Sequence, residues 1–242
     1  MNFPRTVAAE TLDGLRANDP VARRARLDLQ RVHGVMGTRA ILLRALLDMT
    51  PQRNDAAPLR VLELGAGDGS LMLGIARAAR GRWPGLTLAL LDRVDLVDRA
   101  TIARYAEAGW AVSTLVTDVL DWAAEPPANK SVRWDLIVAN LFLHHFEGAH
   151  LATLLAAIES RSERFFACEP RRTWLALSGS HLIGALGANA VTRADAVLSV
   201  HAGFRDAELT ALWPARAGRW TLDEYPAGLF SHSLRAERNG TH

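Results

Sequence analysis

Between Leu59 and Pro170 short apolar runs alternate with helix-like segments. LRVLEL is followed by GSLMLGIARAAR, LTLALL by DLVDRATIARYAEAG, AVSTLV by a short connection, RWDLIVANLF by EGAHLATLLAAIESR, and RFFACEP closes the series. Such runs read as buried strands, and the segments between them have helical spacing. Strands joined by helical crossovers can lie parallel, whereas a tight turn can only reverse the chain. These five runs, joined by two more near the C-terminus, predict an α/β fold with a Rossmann-like, seven-stranded, mostly parallel sheet covered by helices on both faces.

The flanks add the remaining parts of one domain, 1–242. Residues 1–50 read as N-terminal helices, with Asp19 as an N-cap and Pro20 at the first helical position of NDPVARRARLDLQRVHGVMG. TPQRNDAAP then breaks the pattern before the core of 59–169. Residues 170–205 carry no strand-like run and read as two helices broken near GAN, a cap inserted after the fifth strand. In 206–242, two β-rich runs around YPAG predict a C-terminal antiparallel hairpin.

Charge and cysteine content exclude several function classes. The 28 basic residues nearly balance 26 acidic ones, so no field argues for a nucleic-acid partner. The clusters Arg23-Arg24-Arg26 and Arg171-Arg172 read as solvated faces. A single cysteine, Cys168, precludes an internal disulfide. No run of about 18 apolar residues suggests a membrane span, and the N-terminal residues lack a signal-peptide core. The expected compartment is the cytoplasm, and no metal is expected.

The turn after the first strand, in VLELGAGDGSLMLGIA, holds Gly65, Gly67 and Gly69. Three glycines so close suggest unusual dihedrals or the approach of another molecule. The dinucleotide fingerprint G-x-G-x-x-G would need glycine where this chain has Ser70. Glu63 at the strand end would repel a pyrophosphate but could hold an ammonium group. Asp92 ends the second strand twenty-seven residues after Gly65, where a carboxylate can accept hydrogen bonds from both hydroxyls of a ribose.

E-x-G-x-G-x-G followed by an acidic strand end resembles the class I S-adenosylmethionine-dependent methyltransferases over roughly Leu59 to Glu169. The resemblance implies S-adenosylmethionine as cofactor, with the glycine loop near its methionine part and Asp92 on its ribose. Asp118 in TDVLDW then corresponds to the acceptor for the adenine amino group, with the Val119 N–H on the ring. Asp118 could equally be a helix N-cap. Ala66, Arg93 and Asn140 complete the implied cofactor set.

The fourth strand lacks the N/D-P-P-Y/F/W motif of enzymes that methylate amides or nucleobase amines, carrying Asn140-Leu141-Phe142-Leu143 instead. ANLFLHHF resembles methyltransferases of ubiquinone and menaquinone biosynthesis and of aromatic polyketide pathways. That implies transfer to oxygen, less readily to carbon, of a small aromatic or lipophilic acceptor. A phenol with a pKa of about 10 needs a proton acceptor as the bond forms, and histidine near 6.5 can serve. His144 and His145 are the candidates. Arg193 and His201 in the cap, and Glu169 after the fifth strand, are candidate substrate-binding residues. His33 sits on a helix that could fold over the cofactor. Other readings at this point are a methyltransferase acting on protein or RNA, and a non-catalytic accessory that only binds the cofactor.

Overall fold

The structure, a computed structural model, describes residues 3–50, 58–83, 85–126, 133–214 and 219–240, without the side chains of 185 and 186. The strands are β1 (Arg60–Leu64), β2 (Thr87–Asp92), β3 (Ala111–Val116), β4 (Leu136–Asn140), β5 (Arg164–Pro170), β6 (Trp220–Ala227) and β7 (Ser231–Arg238). They form one sheet in the order β3-β2-β1-β4-β5-β7-β6. β1 to β5 are parallel, and β7 runs antiparallel to both β5 and β6. The helices are α1 (Thr11–Gly14), α2 (Pro20–Met36), α3 (Thr38–Met49), α4 (Ser70–Ala78), α5 (Arg99–Glu107), α6 (Val119–Ala124), α7 (Gly148–Arg161), α8 (Trp174–Leu182), α9 (Ala190–Ala202) and α10 (Glu208–Leu212).

Strand alternation divides the core in two. Val61, Leu88, Leu136 and Phe166 face Leu46, Met72 and Tyr105 from α3, α4 and α5. Their neighbours Leu62, Leu64, Ile137 and Phe165 face Leu151, Leu154 and Ile158 of α7 and Leu209 of α10. A strand buried on both faces has no polar side to show, which is why β1 and β4 read as nearly unbroken apolar runs. The outer strand β3 keeps the alternation of a half-exposed edge.

Local signals set several boundaries. Asp19 accepts from Val21 N–H at 2.7 Å and starts α2, and Gly37 at φ 69° ends it and turns the chain into α3. Asn189 caps α9 by accepting from Thr192 N–H at 2.8 Å, so the cap breaks at GAN. Within TPQRNDAAP, residues 51–57 fall outside the described residues. Two local expectations differ. Tyr225 and Pro226 lie within β6, and the hairpin turns at Gly228, φ 77°. β6 is an edge strand, where proline's missing donor leaves no ladder bond unmade. Ahead of α1 the chain is extended, with Thr6 N–H donating to His201 O at 3.1 Å on α9. No helix among the described residues is long and apolar enough to cross a membrane.

Candidate active site

β1 and β4 are neighbours whose following connections leave towards opposite sides of the sheet, and a crevice opens beyond their carboxyl ends. A cavity of about 550 Å³ fills this crevice. Its floor is the glycine loop, Asp92, Asn140 and the His144–His145 turn, and its walls come from α1, α2, α8 and α9.

The three glycines answer to separate demands. Gly65, Gly67 and Gly69 all have positive φ, at 69°, 55° and 71°. A Cβ on Gly65 would stand 2.2 Å from the Phe142 ring, so there glycine permits close packing of β1 against the turn after β4. A Cβ on Gly67 would meet nothing within 4 Å. Gly67 lines the cavity, so this opening leaves the backbone bare to whatever the cavity holds.

Two buried polar atoms next to this loop lack partners. Glu63 Oε2 and Asn140 Oδ1 make no hydrogen bond, although both residues line the cavity. Leaving such a group unpaired costs about 1–3 kcal/mol, so each marks a place where a ligand donor fits. Burial, reinforced by Asp68 and Asp92, holds the Glu63 carboxyl well above the usual carboxylate range. Asp92 splits its oxygens between Gly67 N–H at 2.8 Å and Val94 N–H at 3.0 Å, which aligns the carboxylate beside the loop.

Beyond Asn140 the backbone is strained, with Leu141 at φ 50°. The following residues make a short 3-10 turn, Leu143–His145. Glu169, fully buried at the end of β5, accepts from the backbone N–H groups of Phe142, Leu143 and His144. It also accepts from His144 Nδ1 at 2.9 Å, which fixes the ring. On the other side His144 Nε2 lies 3.4 Å from Glu10 Oε1, brought in by the N-terminal segment. Burial would lower the pKa of His144, but hydrogen bonds and charge from Glu10 and Glu169 outweigh it and raise it to about 9. His145 lies against His144, with ring centroids 4.3 Å apart, and its Nδ1 is 3.5 Å from Asp13 Oδ2. Burial and the charge on His144 lower the pKa of His145.

The structure brings Glu63, Gly65, Ala66, Gly67, Asp92, Arg93, Asn140, His144 and His145 to one cavity. Asp118 and Val119 stand outside its lining. Asp118 caps α6 by accepting from Leu120 N–H at 2.7 Å, and Val119 is buried. Three candidate substrate-binding residues are also placed elsewhere. Glu169 is spent on the turn beneath the histidines, His201 packs on Phe3 at 5.0 Å, and Arg193 lies against Gly184. His33 of α2 does reach the cavity, where burial pushes it down to about 4.

Sequence reasoning missed the N-terminal segment. Thr11 and Leu12 N–H groups donate to the two oxygens of Asp195 at 2.8 and 2.9 Å, which seats α1 on α9. Asp13 pairs with Arg93 at 3.1 Å, tying the segment to the chain just beyond β2. Glu10, Thr11 and Asp13 in AAETLDG carry no helical or strand period that would have placed this segment.

No protein-family model matches the chain, and no curated protein matches it in sequence. Solved structures do match it. The plantazolicin methyltransferase BpumL in complex with SAH superimposes with a TM-score of 0.65 at 12% identity, covering 92% of each chain. An O-methyltransferase family protein from Burkholderia thailandensis gives 0.61 at 17% identity, covering 93% of this chain and 62% of that longer one. Magnesium protoporphyrin IX methyltransferase from Synechocystis with bound SAH gives 0.50 at 15% identity, covering 94% and 91%. The fold is that of the class I methyltransferases. In that fold the crevice beyond β1 and β4 is the cavity just described.

Proposed function

We propose that the protein is an S-adenosylmethionine-dependent methyltransferase that methylates the oxygen, or secondarily a carbon, of a small aromatic, phenolic or quinol-like acceptor. The observation that carries this reading is the pair of unpartnered buried oxygens, on Glu63 and Asn140, beside a glycine loop with open space at Gly67. They fit a ligand that brings an ammonium group and further donors to that spot. When bound, the cofactor supplies a sulfonium methyl open to in-line attack.

In this reading Glu63 and Asn140 hold the amino-acid end and Asp92 the ribose hydroxyls. Arg93 ties the α1 segment over them through Asp13, and Asp118 with the Val119 N–H, beyond the lining of this cavity, would serve an adenine that extends past it. The histidine turn faces the remaining space, and the His144–His145 pair receives the acceptor's proton on His145, which burial and the charge on His144 keep neutral. Glu169 is then a positioning residue, because its contact with Nδ1 turns the Nε2 side of His144 away from β5. Alignment supplies much of the rate in such a displacement, and the surrounding walls bound the space in which it would take place. Those walls include Leu12, Val32, Met36, Leu182, Ile183 and Phe230, an apolar surface suited to a ring or lipid-like acceptor.

The test is incubation with labelled S-adenosylmethionine and a panel of phenols, resorcinols and quinols. Label transferred to a ring oxygen or carbon supports the proposal. Label appearing only on amines, protein or RNA rejects it.

A further inference from the structure

We propose that Glu10, His144 and His145 form a binding site for one divalent transition-metal ion of the Zn²⁺ or Co²⁺ kind. One carboxylate oxygen and one ring nitrogen from each histidine lie within 4.8 Å of one another. Two imidazoles and a carboxylate on one side of an ion are a recurrent transition-metal set. All three residues line the cavity, so the remaining coordination positions face open space.

The groups behind the histidines strengthen the assignment. His144 has Nδ1 on Glu169 at 2.9 Å, and His145 has Nδ1 on Asp13 at 3.5 Å. A carboxylate on one ring nitrogen orients the other towards a metal, and here each ring has its own. That leaves Nε2 of each as the ligand atom. Glu10 Oε1, already 3.4 Å from His144 Nε2, also accepts from the Ser199 hydroxyl, so its carboxylate is held in place. Glu10 rides on the extended chain before α1, and can draw in to bonds of about 2.0–2.2 Å without moving the sheet. A set with two nitrogens and one carboxylate suits zinc or cobalt, whereas magnesium prefers oxygen ligands.

The binding claim stands without the proposed reaction, and only its consequence rests on it. An ion on both imidazoles removes the groups that receive the acceptor's proton, so a loaded enzyme would stop methylating. Metal supply would then control turnover.

The test uses the full chain, freed of metal with a chelator, and titrates it with Co²⁺ followed by absorption and calorimetry. The expected result is one saturable site with the visible bands of nitrogen-ligated cobalt, displaced by Zn²⁺ and not by Mg²⁺. Glu10→Ala and His145→Ala should each abolish it, while Asp13→Asn should weaken it about 10–100-fold. Melting curves would identify any variant that has not folded, and the two ligand variants check each other. No saturable Co²⁺ binding, or binding that survives both ligand variants, would overturn the inference. Cobalt binding in a protein that binds no S-adenosylmethionine would leave the inference standing and remove the methyltransferase reading. The reverse pattern would do the opposite.

Discussion

At the glycine-loop end of the cavity the decisive contact is local, with Gly67 N–H meeting Asp92 across 25 positions. At the histidine end Glu10 reaches His144 across 134 positions and Thr11 reaches Asp195 across 184. The first end is assembled by consecutive strand-turn-helix units whose backbone the sheet already holds. The second depends on a segment with little secondary structure, seated by a few polar bonds. The difference suggests two functions that separate under mutation, with cofactor affinity residing at one end and turnover at the other.

The largest separation should come from His145→Ala. Turnover should fall about 10²–10⁴-fold, the usual cost of losing a positioned proton acceptor, with S-adenosylhomocysteine affinity unchanged by calorimetry. Affinity falling in step with turnover would break the comparison.

The other end should respond inversely to Asp92→Ala and Gly67→Val. Losing the Asp92 acceptors leaves ribose hydroxyls unpaired at about 1–3 kcal/mol, a tenfold to hundredfold weaker complex. Valine at φ 55° is strained and projects into the cavity, so it should weaken binding further. Unchanged affinity in Asp92→Ala would place the ribose elsewhere.

A smaller effect is expected from Asp195→Ala, which removes both bonds that seat α1 on α9. Thermal or urea unfolding should show a loss of about 1–3 kcal/mol, and the acceptor KM should rise while cofactor affinity holds. A rise in cofactor Kd of equal size would show that the segment serves both ends.

The smallest effect concerns protons. The free Glu63 carboxyl has its pKa raised, so it stays protonated at pH values where an ordinary glutamate has ionised. An ammonium partner favours the carboxylate, so binding should release a fraction of a proton between the ordinary and the raised pKa. Affinity should climb with pH across that window. In the free protein the sign is opposite, since stability is lost as pH rises towards the raised value. Calorimetry in buffers of different ionisation enthalpy measures the released proton, and Glu63→Gln should abolish it.

The same contrast explains what was legible in the sequence. β1, β2, β4 and β5 were readable because strands buried on both faces must be apolar along their whole length. Glu63, Gly67 and Asp92 were readable because each sits at a strand end, where the fold turns sequence position into spatial position. Glu10 and Asp13 had no such address, since no periodicity tells where so short an N-terminal segment will lie. Glu169 could be placed at the end of β5, but not its three backbone donors, which depend on the strained turn at Leu141. The hairpin turn was read too early because Pro226 signals a turn locally, while the edge position of β6 lets it remain in the strand.

The central claim is that the glycine-loop end is built for S-adenosylmethionine. Calorimetric titration of the full chain with S-adenosylmethionine, S-adenosylhomocysteine and NAD tests it most directly. The account predicts saturable one-to-one binding of the first two and none of NAD. Binding of NAD alone, or of none of the three, would contradict it.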